Sequence, residues 1–146
     1  MNIEEVKLRS KALVEELVPV WESSVRATHG FLSPADIDML RPLVRDALNK
    51  VPHLFIVREK EHAAGFLGMD GQSIDMLFVD ASFRGKGLGG ALMRFALKRG
   101  ARFVDVNEQN PEALSFYLHM GFSVMGRDEK DGLNLPFPIL HLCLNV

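Results

Sequence analysis

The sequence has little of what several protein classes require. Its 146 residues include a single cysteine, Cys143, which excludes an internal disulfide and a site built from several cysteine ligands. Every apolar run is shorter than the roughly 18 residues that a membrane-spanning helix needs. The first residues alternate charged and apolar side chains and lack the core of a signal peptide. We therefore predict a cytoplasmic protein with no membrane partner.

Neither sign of charge dominates the chain. Lysine and arginine total 17 and aspartate and glutamate total 19, interspersed, for a formal net charge of −2. This balance predicts that nucleic acid is not a partner. Four histidines are scattered without the i, i+4 pairing or the H-E-x-x-H pattern of a metal-binding helix, so no metal site is predicted. They are His53, His62, His119 and His141.

The order of predicted elements indicates a mixed α/β fold. A chain of 146 residues with 47% hydrophobic side chains suffices for one core, so residues 1–146 are expected to form a single domain. A short strand, Ile3–Arg9, and a helix interrupted by Pro19 come first; the proline is expected to bend or restart that helix. A second helix begins at Ser33, as N-cap, and Pro34.

Three strands suited to an antiparallel meander follow, and then strands alternate with helices. The alternation favours parallel pairing across right-handed crossovers. The last strand is expected to be exposed, which leaves a monomer and a homodimer both open.

A glycine-rich segment leads directly into a predicted helix. The first backbone N–H groups of a helix have no internal partner and carry about half a unit of positive charge, so glycines let an anion approach them. Arg84 can grip a phosphate with two parallel hydrogen bonds, and Lys86 adds charge. The segment is therefore predicted to bind phosphate, although a plain loop and helix cap is the alternative. It reads Arg84, Gly85, Lys86, Gly87, Leu88, Gly89, Gly90.

The same glycines fit the G-x-G-x-x-G dinucleotide pattern, with Asp105 about 20 residues on, where a ribose-binding acid is wanted. Three features oppose that interpretation. The residues Asp80–Phe83 separate the glycines from the preceding strand, the motif lies mid-chain, and too few residues follow for a doubly wound fold. A kinase-type P-loop is weaker still, since the G-K-[ST] sequence is absent.

Two segments together resemble the GCN5-related N-acetyltransferase (GNAT) superfamily. Residues Arg84–Gly89 match its [RQ]-x-x-G-x-[GA] loop, and "NEQNPEALSFYLHMGF" is similar to its N-x-x-A-x-x-[FL]-Y-x-x-x-G-F segment. "VWESSVRATHGFL" and "GRDEKDGLNLPFPIL" look like the YjaB-type bacterial acetyltransferases. The resemblance implies a twisted, mostly antiparallel sheet of about seven strands with about four helices. It also implies that the parallel fourth and fifth strands, residues 73–80 and 102–107, splay apart around acetyl-CoA.

The resemblance implies the function as well: direct transfer of an acetyl group from acetyl-CoA to a small-molecule or protein amine, through a ternary complex. Backbone N–H groups where the strands separate are expected to bind the pantetheine and polarise the thioester carbonyl. A CoA-binding sensor or interaction module without turnover is the alternative. The residues expected to bind the cofactor are Leu77, Phe78, Val79, Arg84, Gly85, Lys86, Gly87, Leu88, Gly89, Gly90, Asn110, Ala113, Phe116 and Tyr117.

Tyr117, the only tyrosine, lies where the superfamily has its general acid. Helical spacing places it on one face with Asn110 and Ala113. Proton transfer from a phenol of pKa near 10 to a thiolate of about 8.5 is uphill by about 2 kcal/mol in water, which a preorganised site offsets. The alternative is a core aromatic whose hydroxyl reaches the rim of the site.

The general base is left open among Asp75, Glu108, His29 and a chain of water molecules. Strand alternation predicts that Asp75 shares a face with Leu77 and Val79, where apolar neighbours raise the pKa of its carboxyl. His29 ends a predicted helix, where a cation would cap the last carbonyls. The sequence does not identify the acceptor or the acyl-chain preference. The candidates for contact with the acceptor are Trp21, His29, Asp75 and Glu108.

Overall fold

The computed structural model describes residues 2–145, which form seven strands and four α-helices. The expected α/β class is confirmed. Within these residues no helix has the length and apolar character to cross a membrane. The helices are α1 (Lys11–Thr28), α2 (Pro34–Lys50), α3 (Leu88–Lys98) and α4 (Pro111–His119). The strands are β1 (Ile3–Glu5), β2 (His53–Glu59), β3 (His62–Asp70), β4 (Ser73–Val79), β5 (Phe103–Asn107), β6 (Phe122–Asp128) and β7 (Ile139–Leu144).

All seven strands join one sheet in the order β1-β2-β3-β4-β5-β7-β6. Neighbours are antiparallel except β4 and β5, so the predicted meander and the predicted parallel pair are both confirmed. The expectation of an exposed last strand is wrong, because β7 pairs with β5 on one side and β6 on the other. The first strand is also shorter than expected and ends at Glu5.

The helices begin where the capping residues predict. Ser33 accepts a hydrogen bond from the N–H of Asp36, whose carboxylate accepts one from the N–H of Ser33, and Pro34 occupies the first turn of α2. Pro19 does not restart α1, which continues from Lys11 to Thr28. The residues flanking the proline on both sides are buried, and their packing holds the helix together despite one missing backbone hydrogen bond.

The core is divided between the two faces of the sheet. α1 and α2 cover one face, where Trp21 and Phe66 belong to the same apolar cluster. α3 and α4 cover the other face with a second cluster that includes Leu92, Val104 and Phe122. This arrangement leaves the ends of β4 and β5 between the helices of both layers.

β4 and β5 pair over only two positions and then separate. Ser73 lies opposite Phe103 and Ile74 opposite Val104, and within the described chain no ladder pairs join the two strands beyond that point. Asp75 and Asp105 are the next residues on each strand, so they stand at the fork. The predicted splay is therefore present.

Asp75 is also the extra residue of a β-bulge. Met76 lies opposite Gly68 of β3, but Ile74 lies opposite Met69, which leaves Asp75 without a partner on that strand. The bulge shifts the alternation by one position, so Ile74 packs into the same cluster as Leu77 and Val79. The register assigns no face to the extra residue, so the shared face of Asp75, Leu77 and Val79 stays a prediction.

Gly65 is expected to be intolerant of any side chain. A Cβ atom there would lie 3.0 Å from the carbonyl oxygen of Phe78, 3.2 Å from Leu92 Cδ1 and 3.3 Å from Val57 Cγ1, all in the packed core. Gly65→Ala should destabilise the fold by about 1–3 kcal/mol, as overpacking generally does. The measurement is urea unfolding followed by circular dichroism.

Gly132→Ala is the matched control, because a Cβ at that position would meet no atom within 4 Å. The control should leave the urea midpoint nearly unchanged. Equal midpoints for the two variants would contradict the close packing of β3 against β4 and α3.

Candidate active site

The separation of β4 and β5 opens a cleft of about 300 Å³. Its walls come from both strands, from the last turn of α1 and from the first turns of α3 and α4. Most of the predicted site residues line it, although their positions along the chain range from 29 to 117. Those that do are His29, Asp75, Leu77, Phe78, Val79, Arg84, Gly89, Asn110, Ala113, Phe116 and Tyr117.

The start of α3 presents backbone donors without a side-chain cap. Gly87 is the N-cap, in the left-handed region at φ 78°, and no side chain of residues 2–145 caps the first turn. Gly85 is also left-handed, at φ 82°, a conformation that only glycine adopts without strain. The free N–H groups and the helix dipole together favour an anion at this point. α1 holds the preceding turn, since Ser23 donates to Asp80 and accepts from the N–H of Ala81, each at 3.0 Å.

Two cations flank this helix start, and each has a partner. The guanidinium of Arg84 donates to the carboxylate of Glu112, in the first turn of α4, at 2.7 Å. Both residues of this ion pair line the cleft. Lys86 Nζ lies 5.4 Å from the centre of the Phe83 ring, in a cation–π contact.

Tyr117 is buried, with 7% of its surface exposed, yet it lines the cleft. Its ring packs edge-on against Phe116 and Phe122, with centroids 5.2 and 5.9 Å away. Within residues 2–145 the hydroxyl makes no hydrogen bond, and burial raises the pKa of the phenol well above its usual value. The phenol therefore stays protonated across the physiological range, and the same burial makes it a weaker acid than a solvated phenol.

The fork of the strands carries two carboxylates that line the cleft, those of Asp75 and Asp105. Partial loss of hydration raises the pKa of Asp75, and the charges of Asp70 and Asp105 raise it further. Asp105 also accepts a hydrogen bond from His141 at 2.7 Å, and His141 contacts Asp128 at 2.7 Å with its other ring nitrogen. These two aspartates raise the pKa of His141.

His29 lies at the end of α1, as predicted, but burial lowers the pKa of its imidazole to about 4. The side chain is therefore neutral near pH 7 and is not the cationic cap that the sequence suggested. Its Nε2 atom lies 3.3 Å from the side-chain amide of Asn110, the N-cap of α4.

Three predicted residues lie away from the cleft surface. Trp21 packs in the core with 5% of its surface exposed, and it is not among the residues that line the cleft. Glu108 is held by Arg127 in a two-point ion pair outside the cleft, and this contact lowers the pKa of its carboxyl. The Leu88 side chain is buried in the core, which leaves only its backbone facing the loop.

The remaining predicted residues, Gly85, Lys86, Gly87 and Gly90, lie in the loop and first turn beside the cleft. Ser24, Thr28 and Glu112 also line the cleft, although none of them was predicted from the sequence. Ser24 and Thr28 are small polar residues at i and i+4 on α1, one turn apart on the same side of the helix, and that spacing was the available signal. Among the described residues, no group of three or more histidine, cysteine or acidic side chains is arranged to hold a metal ion.

Known proteins share both the sequence and this geometry. The sequence profile of the acetyltransferase (GNAT) domain matches residues 34–136. The chain is 43% identical over 129 residues to the peptidyl-lysine N-acetyltransferase YjaB of Escherichia coli, covering 88% of each protein. It is 27% identical over 122 residues to the peptidyl-lysine N-acetyltransferase YiaC of the same organism, covering 82% of this chain and 84% of that one.

Solved structures agree. The solution structure of apo-form YjaB from Escherichia coli superposes with a TM-score of 0.85 at 41% identity, over 98% of this chain and 97% of that one. The PaiA N-acetyltransferase of Thermoplasma acidophilum, crystallised with coenzyme A, has the same fold with a TM-score of 0.66 at 21% identity, over 97% and 98% of the two chains. This chain therefore belongs to the GNAT family of acetyltransferases, enzymes that use acetyl-CoA as the acetyl donor.

Proposed function

We propose that the protein binds acetyl-CoA in the cleft between β4 and β5 and transfers the acetyl group directly to the side-chain amine of a peptidyl lysine. One observation carries the proposal: a single cleft joins the first turn of α3 to the hydroxyl of Tyr117, and within residues 2–145 the first has no side-chain cap and the second makes no hydrogen bond. The first suits a diphosphate and the second suits a departing thiolate. Acetyl-CoA has both groups, separated by the pantetheine arm.

The donor side uses backbone groups and two cations. The N–H groups at the start of α3 bind the diphosphate, with Arg84 and Lys86 beside it. The edge of β4 that β5 leaves free supplies N–H groups to the pantetheine and to the thioester carbonyl, whose oxygen gains negative charge during attack. These donors are fixed by the pairing of β4 with β3, so they need no rearrangement when the charge develops.

The acceptor class follows from charge and from relatives. Two relatives at 43% and 27% identity are named peptidyl-lysine N-acetyltransferases. In this chain the fork of the cleft carries the carboxylates of Asp75 and Asp105, which attract an ammonium group. A long, flexible lysine side chain can reach the thioester while its peptide remains at the surface.

The acetyl transfer needs a base and an acid. A primary amine of pKa about 10 is neutral in only about one molecule in a thousand near pH 7, which costs about 4 kcal/mol. Asp75 takes the proton from the ammonium, and the neutral nitrogen forms a bond to the carbonyl carbon. The C–S bond then breaks, and Tyr117 donates its proton to the thiolate while the amide product loses its second N–H proton to solvent.

Tyr117→Phe tests the proposal most directly. In an assay of free thiol released from acetyl-CoA, wild type should release thiol only when a lysine peptide is present. The variant should turn over at least tenfold more slowly, because the proton donor is lost. Calorimetry should show little change in CoA affinity, and the melting temperature should not fall, since the hydroxyl makes no hydrogen bond within residues 2–145.

Two results would count against this proposal. Unchanged turnover would remove Tyr117 from the mechanism. Tight CoA binding without thiol release from any amine would support a sensor instead of an enzyme.

Asp75→Asn should separate activity from stability. The folded protein holds the pKa of Asp75 above its unfolded value, so the ionised carboxylate costs stability at every pH above both values. The variant should therefore melt at a higher temperature than wild type at pH 7, and the difference should vanish as the pH falls and Asp75 becomes protonated. Turnover should fall at least tenfold with loss of the base. A lower melting temperature at pH 7, or full activity, would contradict the assignment.

Glu112→Gln should strengthen CoA binding. The substitution breaks the ion pair that occupies Arg84 and removes a negative charge beside the diphosphate. Since exposed ion pairs contribute up to about 1 kcal/mol, the expected gain is roughly threefold in the dissociation constant, measured by titration calorimetry. Glu61→Gln makes the same change of charge on the β2–β3 turn and should leave affinity unchanged. Weaker binding by Glu112→Gln would mean that Glu112 holds Arg84 in its binding position.

A further inference from the structure

Asn110 is the most buried polar residue of the described chain, and the proposed mechanism gives it no contact with the reacting atoms. Asn110 has 3% of its surface exposed, and it joins two elements 81 positions apart in sequence. Its Oδ1 atom accepts the N–H of Ala113 at 3.2 Å and so caps α4. Its Nδ2 atom lies 3.3 Å from Nε2 of His29, at the end of α1.

The hydrogen bonds around His29 are consistent with one tautomer. The Thr28 hydroxyl donates to the carbonyl of Ser24 at 3.0 Å, so its oxygen accepts from Nδ1–H of His29 at 2.8 Å. Nε2 then carries no proton and accepts from the amide of Asn110. A proton on Nε2 would face the amide N–H₂ group, and two donors would oppose each other. The bridge therefore requires the neutral Nδ1–H imidazole.

Burial supplies the neutral form. It lowers the pKa of His29 to about 4, and it is the cause of that shift even though Asp75, Asp105 and Glu112 line the same cleft. The imidazole also packs against Phe31, with ring centroids 5.2 Å apart, and Phe31 packs against Phe137 at 5.6 Å. The bridge thus connects the α1–α2 and β6–β7 segments to the N-terminus of α4.

We propose that His29 is a positioning residue for acetyl transfer: as a neutral imidazole it fixes Asn110, and through Asn110 the helix that carries Tyr117. Asn110, Ala113 and Tyr117 follow one another at spacings of three and four, so they lie along one face of α4. A shift of the cap moves the phenol relative to the thioester. This inference rests on the proposed role of Tyr117, because only a group that must meet the sulfur gains from the alignment.

The bridge itself is tested without activity. Wild-type protein labelled with ¹⁵N in its histidines should show the Nδ1–H tautomer at His29 by NMR, with titration near pH 4. Asn110→Asp keeps an oxygen to cap α4 but places a carboxylate against Nε2, so the pKa of His29 should rise by at least one unit. An Nε2–H tautomer in wild type, or an unmoved pKa in Asn110→Asp, would overturn the bridge.

The role of His29 in acetyl transfer is tested by steady-state kinetics. His29→Ala should lower kcat at least fivefold while the KM for the lysine peptide changes less than twofold. His29→Gln, whose amide can donate to Thr28 and accept from Asn110, should restore at least half of the wild-type kcat. His119→Ala, an exposed histidine in the last turn of α4, is the control and should keep wild-type kcat. A raised KM with unchanged kcat, or equal loss in the Ala and Gln variants, would show that His29 does not act by positioning.

The two proposals fail separately. If wild type releases no thiol with any amine, the proposed function fails, while the NMR measurements still decide whether the bridge exists. If Tyr117→Phe is impaired but His29→Ala is not, the enzyme assignment stands and the role of His29 falls.

Discussion

The separation of β4 from β5 is the constraint on which the site depends. Two paired positions hold the strands together, and β3 and β7 hold their outer edges, so the inner edges cannot close on each other without breaking the rest of the sheet. Backbone N–H and C=O groups that face neither a strand nor the core are costly when left dry. A ligand arm with alternating polar groups fills such a gap well. Within residues 2–145, no ladder pairs join the inner edges of β4 and β5 beyond the fork, and the cleft lies between these edges.

At the same fork, the arrangement that helps Asp75 to accept a proton also lowers the stability of the fold. The bulge at Asp75 and the parallel register bring Asp75 and Asp105 beside each other, where two negative charges repel. His141 offsets part of the charge on Asp105, whereas Asp75 has only other carboxylates among the charges that shift its pKa. A carboxyl that is reluctant to stay ionised accepts a proton more readily. The raised pKa that suits Asp75 to the proposed role as base is thus also the feature that costs folding free energy.

Most of the fold could be predicted because the residues concerned act on their own backbone. The predictions that failed concern features that depend on residues distant in the sequence. Ser33 with Pro34 and the glycines before α3 act on their own backbone, so their elements could be predicted from sequence. The bulge at Asp75 depends on the register with β3, and the interior position of β7 depends on strand order; neither is written in the residues concerned. Trp21 and His29 lie in the segment "VWESSVRATHGFL", which looks like YjaB-type acetyltransferases. The burial of these two side chains could not be predicted from that resemblance. One fills the core, and the other became a neutral ring that bonds to Asn110.

The placement of β7 between β5 and β6 has a consequence for the order of assembly. The ribosome makes β5 and β6 before the strand that joins them, so each has an open edge and Val106 lacks its cross-strand neighbour Leu140 until β7 inserts. Contacts of this kind close late and slow the search for the native state. Until β7 pairs with β5 and β6, the nascent chain exposes strand edges whose unpaired backbone groups promote aggregation, and chaperones shield edges of this kind. The wall of the cleft that β5 provides therefore has only β4 as a strand neighbour until β7 has been made.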